Sequence, residues 1–152
     1  MSATGSWDPA GFRNLDSNNS TITSNATRKY NCFAWAAGES HRRWEPDAQN
    51  DYYWPKGVPR ELTIEAFIRA YETLGYVECS DASVELGFQK VAIYTKRYFE
   101  GTRPTHAALQ LPDGRWTSKL GDAEDIEHAD LDALRGRDYG VPARYLKRPR
   151  RP

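Results

Sequence analysis

Two residue types in this chain could do covalent chemistry together, a cysteine and a histidine. Cys32 sits in "YNCFAWAAG" (residues 30–38), where a polar chain turns apolar. It is one of two cysteines, and three histidines stand at 41, 106 and 128. A cysteine attacks as its thiolate, an anion that the unpaired N–H groups of a helix N-terminus stabilise. A thiol nucleophile also needs an imidazole within hydrogen-bond reach, itself held by a third polar group. His41 lies nine residues on, in the polar "ESHRRW", and is expected to be a surface side chain. His106 opens the apolar stretch "THAALQL" and is the expected base. The plainer reading is a small buried thiol and a hydrogen-bonded core histidine, the common fate of both types. Cys79, in "YVECSD", has no catalytic setting and is expected to be structural. Cys32, Cys79, His106 and His128 do not fall at paired metal-ligand spacing, so neither a metal nor a cofactor is expected.

The elements that must position these residues follow from periodicity. Residues 1–29 show no helix or strand period and are expected to be loop; a single domain over 30–146 and a basic tail over 147–152 complete the chain. The block "NCFAWAAG" suits a short buried helix with Asn31 as its N-cap and Gly38 at its end. The next twenty residues carry Trp44, Tyr52, Tyr53 and Trp54 among prolines, which predicts a packed loop lining a cleft. "TIEAFIRAYETLGY" is the clearest helix: Ile64, Phe67, Ile68, Tyr71 and Leu74 share one face, with Thr63 as cap and Gly75 at the stop. After it the period becomes two, giving strands at "FQKVAIY", "THAALQL" and "RWTSKL", the last two joined by the turn "PDG". A final short helix is expected at "DLDALRG". Helices followed by an antiparallel meander predict an α+β domain.

A cysteine opening a short apolar helix, followed by a histidine-led strand, a glycine turn and another strand, resembles the papain-like cysteine hydrolases. The likeness is closest to the NlpC-type bacterial cell-wall endopeptidases, and "THAALQLPDGRWTSKLG" carries most of it. That resemblance implies a papain-like fold, with N-terminal helices packed on a small antiparallel β-meander. It implies Cys32 as nucleophile, with its own N–H in the oxyanion hole, His106 as base, and Ser118, twelve positions on, as third residue. Asn31 stands where those enzymes carry Asp, Phe33 where they carry Ser, and Ser118 where they carry His, Asn or Gln. Alternative third residues lie in "GDAEDIEH": Glu124, Asp125, Glu127 and His128. Tyr30, Asn31, Trp44, Tyr53, Trp54 and Trp116 are the substrate-cleft candidates, Tyr30 standing near the family's oxyanion tyrosine. The same segments, with "IEH" and "YG", also resemble a bacterial family of unknown function, for which no reaction follows.

Formal net charge is zero, so no global field draws the chain to nucleic acid or to acidic lipid. The N-terminus has neither a basic nor an apolar leader segment, and no run approaches the ~18 apolar residues of a membrane span. A cytoplasmic protein is expected, with export by another route left open. The expected function is hydrolysis of an amide bond, as peptidase or amidase, on a peptide or protein substrate. The alternative is a non-catalytic domain that binds a protein or peptide partner, of which a toxin or immunity-type protein is one form.

Overall fold

The computed structural model describes residues 5–151. One seven-stranded sheet dominates it, in the order β1-β6-β5-β4-β3-β7-β2, with every neighbouring pair antiparallel. The strands are β1 (Ser20–Ser24), β2 (Val77–Cys79), β3 (Phe88–Tyr98), β4 (Gly101–Gln110), β5 (Trp116–Lys119), β6 (Asp125–His128) and β7 (Val141–Pro149). Two α-helices, α1 (Cys32–Ala36) and α2 (Ile64–Glu72), are the only ones among the described residues.

This overturns the expected α+β, papain-like arrangement of helices on a small meander. The sheet is the body of the molecule and the helices are an addition to one face. The strands that periodicity missed are the two edge strands β1 and β2, the short polar β6, and β7, which is rich in basic residues. β1 ("STITS") lies inside the segment read as loop, and β7 ("VPARYLKRP") runs into the segment read as tail. β7 pairs with β3 as far as Phe88↔Pro149, and β1 pairs with β6.

β3 explains the layering. Val91 and Ile93 point to one face and Ala92 and Tyr94 to the other, and all four are fully buried. On the first face Val91, Ile93, Ala107 and Leu146 pack with Ala34 and Ala36 of α1 and with Phe67, Ala70 and Tyr71 of α2. On the second, Ala92, Tyr94 and Ala108 pack with Phe12 and Leu15 from the N-terminal segment and with Leu131, Leu134 and Tyr139. A strand covered on both sides reads as a continuous apolar run.

Both helices start where their caps predict. The Asn31 side chain accepts from Ala34 N and the Thr63 side chain from Ala66 N. A five-residue helix is marginal alone, so α1 owes its existence to burial and to Asn31. The expected helix at "DLDALRG" is a single 3₁₀ turn, Leu131–Leu134. No helix among the described residues is long and apolar enough to cross a membrane.

Candidate functional site

Cys32 is the first residue of α1 and is buried. The backbone N–H groups of Ala107 and Phe33 point at its thiol. Beyond Leu109↔Thr117 and Gln110↔Trp116 the β4–β5 ladder gives way, so Ala107, further along β4, has no partner in β5. Burial pushes the Cys32 thiol up to about 12, and the N–H groups of Ala107, Phe33 and Cys32 itself, with the Arg43 charge, offset only part of that rise. Cys32 is therefore a neutral thiol at rest.

His106 is the sixth residue of β4 rather than its first, because the strand begins at Gly101. It stands opposite Tyr94 in register, so its imidazole leaves the strand on the second face, away from α1. There the ring stacks on Tyr139, with centroids 4.1 Å apart, and meets Tyr94 edge-on at 5.3 Å. His106 Nε2 lies 2.9 Å from Ser118 Oγ, which lies 2.8 Å from His128 Nε2; His128 Nδ1 lies 2.8 Å from the Asp130 carbonyl.

Donor accounting fixes the direction of this chain. The Asp130 carbonyl can only accept, so His128 carries its proton on Nδ1 and its Nε2 accepts from the Ser118 hydroxyl. Ser118 Oγ then accepts from His106 Nε2–H. His106 is left with a bare Nδ1, and that atom is buried without a hydrogen-bond partner. Burial holds His106 well below the ordinary imidazole value, with His128 adding to the effect. Burial likewise lowers His128, to about 4, although the Asp130 carbonyl and carboxylate pull the other way.

Of the residues expected to meet, then, His106 and Ser118 do, and His128 joins them. Cys32 makes no hydrogen bond to His106 Nδ1. Glu124 is taken up by Ser6 and Glu127 faces Arg115. Asp125 accepts from Tyr30 Oη at 2.5 Å and from Ser24 Oγ. Of the aromatic candidates, Trp44, Trp54 and Trp116 are core side chains, and Tyr53 is half-buried beneath the Arg42 guanidinium, 3.5 Å from its centroid. Asn31 is also buried, and both ends of its amide bond Trp44: Nδ2 donates to the carbonyl and Oδ1 accepts from the N–H. His41 is exposed, beside Glu39.

Two residues at the site carry no strong sequence signal. Tyr139 belongs to the dipeptide "YG": its ring covers His106, while a side chain on Gly140, at φ 73°, would strike Thr95 O of β3. Lys119 follows Ser118 and is wholly buried. Its ammonium donates to the carbonyls of Thr27 and Gly121, each at 2.8 Å, and of Ala123. A buried lysine in a strand can be anticipated only if the loops that supply its acceptors are known.

Neither Cys32 nor His106 lines any of four well-formed surface pockets among the described residues. A pocket of about 510 Å³ ends on Tyr139, which separates it from His106. Another, of about 500 Å³, opens between β1, β6 and α1; Ser24, Tyr30, Trp35, Thr117, Asp125 and Glu127 are among its walls. Asp125 is almost fully buried, and its Oδ1 has no hydrogen-bond partner. Trp35 Nε1 donates to Thr117 Oγ1 at 2.9 Å and fixes the indole across the pocket.

These features define a mostly antiparallel β domain with a buried polar chain at its centre and an acidic, aromatic pocket at one end of the sheet. Residues 21–147 match the domain of unknown function DUF7689, and the chain belongs to that family. No curated protein and no solved structure is matched.

Proposed function

We propose that this domain binds a peptide or protein partner. The observation that supports it is the pocket between β1, β6 and α1, which joins the carboxyl residues Asp125 and Glu127 to the aromatic Tyr30 and Trp35. Concave sites with a few placed polar groups are where ligands are taken up. The state of Cys32 argues the same way, since a reactive cysteine has a lowered pKa and is accessible, whereas this thiol is buried and pushed up. Both cysteines are free thiols, which fits the cytoplasmic setting we assign to the protein.

One observation favours a second reading, amide hydrolysis through Cys32. His106 is held by Ser118 in the tautomer whose Nδ1 lone pair is bare, the form a general base requires. In that reading the core between Cys32 and the pocket beneath Tyr139 opens to bring thiol and imidazole together. Iodoacetamide labelling of the native protein near neutral pH separates the two. In the binding reading the half-exposed Cys79 alkylates first and Cys32 only as the protein unfolds. Rapid, selective alkylation of Cys32 in the folded protein would decide for the hydrolase.

A further inference from the structure

We infer that the pocket between β1, β6 and α1 takes a cationic side chain, the ammonium of a lysine or the guanidinium of an arginine on a peptide. This rests on the binding reading and names its ligand chemistry.

Asp125 lies in the wall of this pocket. Its Oδ2 receives two hydroxyls, from Tyr30 and Ser24, while Oδ1 receives nothing. A buried carboxylate oxygen without a donor is costly, and a charged N–H donor is its strongest partner. The obvious internal cation is Lys119, which pairs with Asp125 in the β5–β6 register. All three of its ammonium protons are already spent on backbone carbonyls, so none is left for Asp125. The fold thus keeps a lysine beside this carboxylate and directs its protons elsewhere, so a carboxylate that lines the pocket has one oxygen with no donor inside the fold.

The other walls suit a cation as well. Glu127 supplies a second carboxylate, shared with Arg115 at 3.5 Å. The Tyr30 ring already lies between Trp35, 5.5 Å away, and the Lys119 ammonium, so the half-buried Trp35 indole is the aromatic wall left for a charge and its methylene stem. Lys29, the one basic side chain in the lining, is exposed and free to turn into solvent. About 500 Å³ is ample for one long side chain.

The test uses the full-length protein and four blocked pentapeptides of sequence GGXGG, with X lysine, arginine, norleucine or glutamate. Binding is followed by NMR through the Trp35 indole N–H, which the Thr117 bond places at the pocket. The lysine and arginine peptides should shift that signal saturably, and the norleucine and glutamate peptides about tenfold more weakly or not at all. Asp125→Asn should weaken the lysine peptide by about tenfold with the amide spectrum otherwise preserved. Glu127→Gln, at the half-buried rim, should weaken it by a smaller factor and guards against a folding defect in the first variant. Equal binding of the norleucine or glutamate peptide here, or lysine-peptide shifts confined to another pocket, overturns the cation inference and leaves the binding reading standing. No shift from any of the four overturns both.

Discussion

At His106, Ser118 and His128 the molecule buries two imidazoles and links them through one hydroxyl and one carbonyl, with His106 Nδ1 left without a partner. Such a network is stable only while both rings stay neutral, because a buried charge without a counter-charge is expensive. Unfolded, each imidazole takes up its proton near 6.5; folded, His128 does so only near 4 and His106 well below its ordinary value. Between those values the unfolded chain binds more protons than the folded one, so acid favours unfolding. The stabilisation is complete above pH 6.5 and is lost as the pH falls towards 4. The share of His128 is on the order of 3 kcal/mol. Urea unfolding at a series of pH values should show this decline. In His128→Gln the decline over the same window should be visibly shallower, even though the variant is less stable throughout. A slope identical to that of the unsubstituted protein would mean that His128 is not neutral in the fold.

The smallest element, α1, depends on a single side chain. Asn31 caps the helix through Ala34 N at 3.1 Å and ties in the loop through both backbone groups of Trp44. Replacing it with alanine removes the cap and strands two buried backbone groups. We expect Asn31→Ala to cost roughly 2–4 kcal/mol in urea unfolding, with Asn31→Asp, which keeps the acceptor and loses the donor, in between. A loss below about 1 kcal/mol would show that packing alone holds the loop. Cap and spacing made α1 and α2 legible in the sequence, and β-branched and aromatic runs made β3, β4 and β5 legible. The remaining strands were not, for one physical reason. β1, β2, β6 and β7 gain much of their stability from backbone pairing, and "STITS", "VEC", "DIEH" and "VPARYLKRP" present little apolar alternation to betray it. The candidate site suffered accordingly. The spacing from His106 to Ser118 did bring them together across β4 and β5, but the face His106 occupies depends on the register with β3 and on what covers the second layer.

That second layer shows where the folded unit begins. The family match starts at residue 21, yet one face of the sheet is closed by residues that precede it. Phe12 and Leu15 are buried there, with Trp7 packed alongside. Burying two such side chains contributes about 3–6 kcal/mol, against a total stability of roughly 5–15 kcal/mol for a domain. At the other end, residues past 147 add the Arg148 bond to Leu74 O at 2.8 Å and the Arg150 N–H bond to Gly87 O at 2.8 Å. These are exposed or half-exposed contacts of smaller worth. A fragment of residues 21–152 should therefore expose Tyr94, Ala108 and Leu134, bind the dye ANS, and melt far below the full chain. A fragment of residues 1–147 should lose less and keep a cooperative transition. Melting followed by circular dichroism ranks them directly. If 21–152 melted within a few degrees of the full chain, the N-terminal segment would be an ornament on an independent domain. The burial of Phe12 and Leu15 makes it part of the core.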